Sequence, residues 1–333
     1  MKKLALVILL SPLWVLAQDI HFSQFDVAPL VYNPAFIGNF DGDIRFIGNQ
    51  RTQWRSVTVP YSTIGVSGEM REIQDIPRVS GAASIYQDRA GDSRLNTLQF
   101  NIAGSYELKR SADSLHRFTA GFQTGFTHRN IDYSELRYDN QWNGANYDPG
   151  INPGESYSRD ARTNLNLNIG AGWYYFKDRR HRAEAGLALH HLNKPKQSFF
   201  DDPSIGLDRR FSMVASGVTR LNYDWDLMGS LLLSRQGKFM EFNTGMGVRY
   251  ILMDKNQFFR TLFAGFYFRT KDAGYVLAGM DYDAWRFGIS YDFNLSDLKP
   301  ASAGRGGFEL SVVYVLRKFK PVLKTRKICP DYL

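Results

Sequence analysis

The sequence predicts an all-β protein, a closed antiparallel barrel of fourteen strands that crosses an outer membrane. Three observations predict it: stretches with a two-residue hydrophobic period, their length, and loops that sort by strand parity. In Leu165 to Trp173, apolar Leu165, Leu167, Ile169, Ala171 and Trp173 alternate with Asn166, Asn168, Gly170 and Gly172. The same alternation runs from Met240 to Tyr250 and from Trp285 to Phe293. Such a period gives a strand two unlike faces.

Fourteen segments read this way, at 42–52, 61–70, 79–88, 95–108, 117–128, 162–176, 182–192, 211–221, 225–237, 239–252, 257–270, 273–283, 285–294 and 306–318. Most are longer than the five or six residues usual in globular strands and match the about 9 to 11 needed to cross a bilayer at a tilt. An even count suits a closed outer-membrane barrel. Aromatic residues near strand ends, such as Trp173 to Tyr175, Tyr282 and Trp285, suit an interfacial girdle. With both termini in the periplasm, the long gaps 129–161, 193–210 and 295–305 all follow odd strands and emerge outside. Connections after even strands are short, as outer-membrane barrels require of periplasmic turns.

The ends of the chain flank this barrel, expected over 42–318. Lys2 and Lys3, the apolar stretch Leu4 to Leu10, and Val15 and Ala17 before Gln18 read as a signal peptide over 1–17. No later run approaches 18 apolar residues, which excludes membrane-spanning helices. Removing Lys2 and Lys3 lowers the formal charge from +8 to +6. The basic residues are scattered and follow an export signal, which excludes a nucleic-acid partner. Cys329 is the sole cysteine, so the fold holds without an internal disulfide.

Within the N-terminal segment 18–41, Tyr32, Asn33, Pro34 and Gly38 form the best feature outside the strands. Pro34 fixes its own backbone angle and restricts Asn33, while Gly38 permits close packing. The segment reads either as a plug or periplasmic docking strap entering the lumen, or as a seal of the barrel floor. Glu241, Arg249, Arg286, Asp292 and Glu309 alternate with lipid-facing residues and are expected to point inward, paired across strands rather than lining a solute path. The loop 129–161 carries Tyr133, Tyr138, Trp142, Tyr147 and Tyr157 among asparagines and glycines. Aromatics among adaptable polar groups suit a protein-binding surface, and a self-packed lid uses the same residues. The tail 319–333, with Lys320, Lys324, Arg326 and Lys327, reads as a periplasmic docking tail for an acidic partner. No nucleophile, base and acid converge, so neither enzymatic activity nor a cofactor is expected. His190 and His191 are adjacent and are expected on opposite faces of a strand, unsuited to one metal.

The opening Gln18 to Phe25, followed by Pro29 to Gly38, resembles the signature of the PorP/SprF family of type IX secretion membrane proteins. Further likeness lies at Asn49-Gln50-Arg51, His190 to Pro195, Phe266 to Arg269, Ser290 to Ser296 and Gly306 to Glu309. The resemblance implies a barrel related in fold to long-chain fatty-acid transporters, in the outer membrane of a Gram-negative bacterium. It further implies a part in type IX secretion or gliding, in export or anchoring of a particular secreted surface protein or adhesin. Peptidoglycan-linked periplasmic components are implied as other partners. The competing expectations are transport of a small hydrophobic solute and a purely structural role in an envelope assembly.

Overall fold

The computed structural model describes residues 19–53, 59–73, 76–91, 94–152, 154, 159–199, 202, 205–255, 258–295 and 304–317. All fourteen expected strands form. They are β1 (Ile44–Gln53), β2 (Tyr61–Met70), β3 (Val79–Ala90), β4 (Leu95–Arg110), β5 (His116–Asn130), β6 (Ala161–Asp178) and β7 (His181–His190). The second half holds β8 (Arg210–Arg220), β9 (Trp225–Gln236), β10 (Phe239–Lys255), β11 (Phe258–Arg269), β12 (Ala273–Tyr282), β13 (Trp285–Asn294) and β14 (Arg305–Leu316). Each strand pairs with the next, and β14 closes the ring on β1 from Ile44 opposite Leu316 to Thr52 opposite Phe308. Closure leaves no strand edge, so every ladder group finds a partner without water.

Several boundaries move. Strand β10 runs three residues beyond its expected end because a bulge at Ile251/Met253 absorbs a register shift against β11. Strand β7 stops two residues early, because His191 takes a φ of +55° and turns the chain out of the sheet. Strands β5 and β6 pair along their full length from His116–Tyr175 to Asn130–Ala161, and so project past β7 on the long-loop side.

The faces are inverted relative to a soluble protein. Phe122, Phe126, Met246 and Ile289 stand 49%, 56%, 66% and 43% exposed, whereas Asn101, Gln123, Asn168, Asn243, Arg249 and Asp292 are buried. No helix among the described residues is long and apolar enough to cross a membrane; the strands do the crossing. At the short-turn end, Trp225 packs on Tyr250 at 4.9 Å and Trp285 on Tyr314 at 4.5 Å, part of an aromatic girdle.

A charge on the outer face must be felt by depth. Ile289→Arg, at the middle of β13, is expected to cost about 2–4 kcal/mol, and Phe293→Arg at its end about 0–1 kcal/mol. Urea titration of refolded barrel in lipid vesicles measures both; equal losses would contradict the membrane register.

Candidate functional site

The bore is occupied by the chain's own N-terminal segment. Residues 19–41 form three short helical turns, Phe25–Val27, Pro29–Tyr32 and Pro34–Phe36. Pro29 and Pro34 each open a turn, where a missing N–H costs nothing. Asn33 caps the last turn, its Oδ1 accepting from the Ala35 N–H at 2.9 Å.

Asp19 lies at the long-loop end, 2.6 Å from His191 and 3.5 Å from Arg210. Burial raises the Asp19 carboxyl, but His191, Arg210 and Arg129 outweigh it and hold it well below the usual carboxylate range. A carboxylate depressed on folding stabilises above its unfolded value of about 3.9 and loses that contribution only as pH falls through the folded value.

Further along, the backbone N–H groups of Ser23 and Gln24 donate to the two Glu309 oxygens at 2.7 and 2.9 Å. Arg51 donates to the His21 carbonyl at 2.9 Å and to Asp292 at 3.1 Å, and Arg269 reaches Asp292 at 2.9 Å. The Tyr275 hydroxyl donates to the Ser23 carbonyl at 2.6 Å. All of these side chains are buried. Two arginines, two carboxylates and the segment's backbone thus bond to one another away from solvent, with the Arg51 Nε left 3.8 Å from Glu309.

Deeper still, the Tyr32 carbonyl accepts from the Ser212 hydroxyl at 2.6 Å, with the His190 ring 3.1 Å away. The Asn33 amide donates to the Ala171 and Leu187 carbonyls of the wall at 3.1 and 3.3 Å. Here the backbone at Pro34 approaches Gly121 so closely that a side chain at 121 would strike it. Gly38 has a φ of +79° and donates to Glu69. Asp41 then meets Arg179 and Arg317 at the short-turn end, at 3.3 and 3.1 Å. The segment therefore traverses the bore from the long-loop end to the short-turn end, where β1 begins.

Tyr32, Asn33 and Pro34 are brought together in this seat, and Gly38 lies beyond them. Glu241, Arg249, Arg286, Asp292 and Glu309 all face inward. Asp292 and Glu309 hold the segment, whereas Arg249 binds Asp226 at 2.6 Å. Arg286 lies 3.8 Å from Asp26 and 3.7 Å from Asp281. Glu241 lacks a hydrogen-bond partner for one buried oxygen among the described residues.

The two histidines do not point to opposite faces. The left-handed turn at His191 brings both rings inside, 6.5 Å apart, one on Tyr32 and Ser212 and the other on Asp19. Among the described residues no group of three or more metal-ligating side chains forms. The sequence assigns no role to Asp19, Arg51, Asp226, Arg269 or Tyr275, although Asp19, Arg51 and Arg269 lie in the stretches that carry the family resemblance. Their inward register in the alternating strands, or for Asp19 its place beside the plug, was the available signal.

The described loop aromatics make local contacts within the loop. Tyr133 donates to the Arg159 carbonyl at 3.1 Å, and Tyr147 packs under Arg137 while donating to Gln141 at 3.1 Å. The Tyr138 N–H donates to the Gln141 side chain, opening a short 3-10 turn within the loop. Trp142, bridged to Tyr147, is 57% exposed. Tyr157, the segment 1–17, and Lys320, Lys324, Arg326 and Lys327 of the tail lie outside the described residues.

Asp292→Ala would remove the carboxylate that Arg51 and Arg269 share and leave Arg51 with Glu309 at 3.8 Å and Arg269 with Asp272, a loss of about 3 kcal/mol. The expected readout is a lower urea midpoint together with faster proteolysis between residues 19 and 41. Unchanged protection of that segment would contradict its seating.

Among solved structures the chain is similar to the Pseudomonas putida toluene transporter TodX, at 13% identity over 86% of this chain and 92% of that one, with a TM-score of 0.50. It is also similar to the monoaromatic hydrocarbon channel CymD, at 9% identity over 88% and 93% of the two chains, with a TM-score of 0.46. At such identities the likeness is one of fold. No curated protein matches the chain. The family of type IX secretion system membrane proteins PorP/SprF matches residues 15–314, and the closed, strand-crossing barrel agrees with an outer-membrane protein. The chain belongs to the PorP/SprF family.

Proposed function

We propose that this barrel is a non-enzymatic outer-membrane component of type IX secretion that supports export or surface anchoring of a specific secreted protein. The observation that carries the reading is the occupied bore. Buried carboxylates, arginines and backbone hold residues 19–41 along its length, so the barrel offers surfaces rather than a bore. Two long loops, 131–160 and 191–209, gather at one end, which we place outside the cell. There Trp142 presents the kind of large amphipathic side chain that anchors protein interfaces. At the other end, a docked periplasmic component would meet short turns and the tail 319–333, whose Lys320, Lys324, Arg326 and Lys327 suit an acidic partner. Family membership supports both partners and names neither.

A second reading, passage of a small hydrophobic solute, draws on a cavity of about 200 Å³ below the segment and on the TodX-like fold. It requires the segment to leave the bore, and uptake of a radiolabelled hydrocarbon by vesicles carrying the barrel tests it.

Trp142→Ala is expected to leave a folded, heat-modifiable barrel while reducing the secreted protein that co-purifies with it or remains on the cell surface several-fold. A surface proteome and co-purified set identical to wild type, in this variant and in the knockout, would exclude the anchoring role.

A further inference from the structure

The cavity between the N-terminal segment and the short-turn end contains an ion pair that does not form. Arg182 and Glu184 stand two residues apart on β7, on one face and about 6.6 Å apart along the strand. Both line the cavity. Arg182 has no hydrogen-bond or ion-pair partner among the described residues, although the neighbouring arginines are engaged: Arg45 by Glu69, Arg249 by Asp226 and Arg286 by Asp281 and Asp26. Glu184 accepts only from the Ser216 hydroxyl, at 3.1 Å, which leaves lone pairs toward the cavity. A third group waits in the same wall. Asn39, 7% exposed, belongs to the N-terminal segment and has a buried side-chain N–H₂ with no acceptor among the described residues.

The Asn39 donor is costly to leave without an acceptor where it is buried, and Arg182 and Glu184, both half-buried with no salt bridge between them, keep hydrogen-bonding capacity toward the cavity. They call for a ligand that carries an anion and a cation a short distance apart. The rest of the lining sets its third property. Tyr174, Phe259 and Tyr267 are buried aromatic faces on the cavity wall, and Met228 and Val218 extend the apolar patch. The cavity has room for an amino-acid-sized molecule.

We propose that this cavity binds a free α-amino acid with an aromatic or branched apolar side chain, entering from the short-turn end. Its carboxylate meets Arg182 and the Asn39 amide, its ammonium meets Glu184, and its side chain lies on Tyr174, Phe259 and Tyr267. Because Asn39 is part of the N-terminal segment, an occupied cavity adds an acceptor to the segment that fills the bore. The site is separate from the outer loops, so its occupancy and surface-protein anchoring stand or fall independently.

The test is calorimetry and saturation-transfer NMR on the purified full chain in detergent micelles, with L-phenylalanine as probe. The expected result is saturable binding of L-phenylalanine, at least tenfold tighter than 3-phenylpropionate, which lacks the ammonium, and phenethylamine, which lacks the carboxylate. Arg182→Gln should weaken phenylalanine at least tenfold and leave phenethylamine unchanged. Glu184→Gln should weaken phenylalanine equally and leave 3-phenylpropionate unchanged. Wild-type barrel that fails to bind phenylalanine, or binds both analogues as well, overturns the proposal, and this comparison needs no variant to fold. Full phenylalanine binding by a folded Arg182→Gln barrel overturns it as well.

Discussion

A ring of fourteen strands is wider than the eight-stranded barrels whose own side chains fill the interior. Lipid cannot satisfy the charges of that bore, so it must be filled by water or by protein. Here the filler is the chain's own N-terminal segment, and the buried pairs around Asp292 and Glu309 are the points on which it turns. Asp292 balances Arg51 and Arg269 together, and Glu309 takes two backbone N–H groups from the segment. The wall charges pair among themselves, and the segment's backbone completes the set at Glu309 and Arg51. Fold and occupancy are therefore coupled, because releasing the segment breaks its buried hydrogen bonds to Glu309, Arg51 and Tyr275.

The membrane-facing half of the fold was legible because it is a local property. Alternation, strand length and turn position are read within a dozen residues, and Leu165 to Trp173 or Trp285 to Phe293 carry them without reference to distant chain. The inward direction of Arg249, Asp292 and Glu309 follows from the same register. Their partners do not. Glu309 binds Ser23 across 286 positions and Asp292 binds Arg51 across 241, separations at which no periodicity speaks. His191 departs from the strand pattern through a single positive φ, which a histidine adopts less readily than glycine or asparagine and which composition does not announce. The aromatics and asparagines of loop 131–160 were visible in the sequence, but the packing of Tyr147 under Arg137 and the exposure of Trp142 depend on how the loop folds on itself.

The two ends of the barrel are chemically different. At the long-loop end the segment is latched by Asp19 among His191 and Arg210, beneath loops that carry adaptable polar and aromatic groups. At the short-turn end it leaves a small, aromatic-walled cavity with opposite charges held apart. The proposed anchoring role draws on the long-loop end, where Trp142 is exposed, and leaves the pocket at the other end free for a separate use. The chain's relation in fold to hydrocarbon channels then lies in the wall, while the contents of the bore set what the wall is used for.

Single-channel recording in planar lipid bilayers tests the occupied bore most directly. Refolded full-length barrel, verified by heat-modifiable mobility, should insert without stable ohmic steps, and Asp292→Ala should introduce them by loosening residues 19–41. Sustained open-channel conductance from the unaltered protein would contradict the account, since a seated segment leaves no continuous aqueous path.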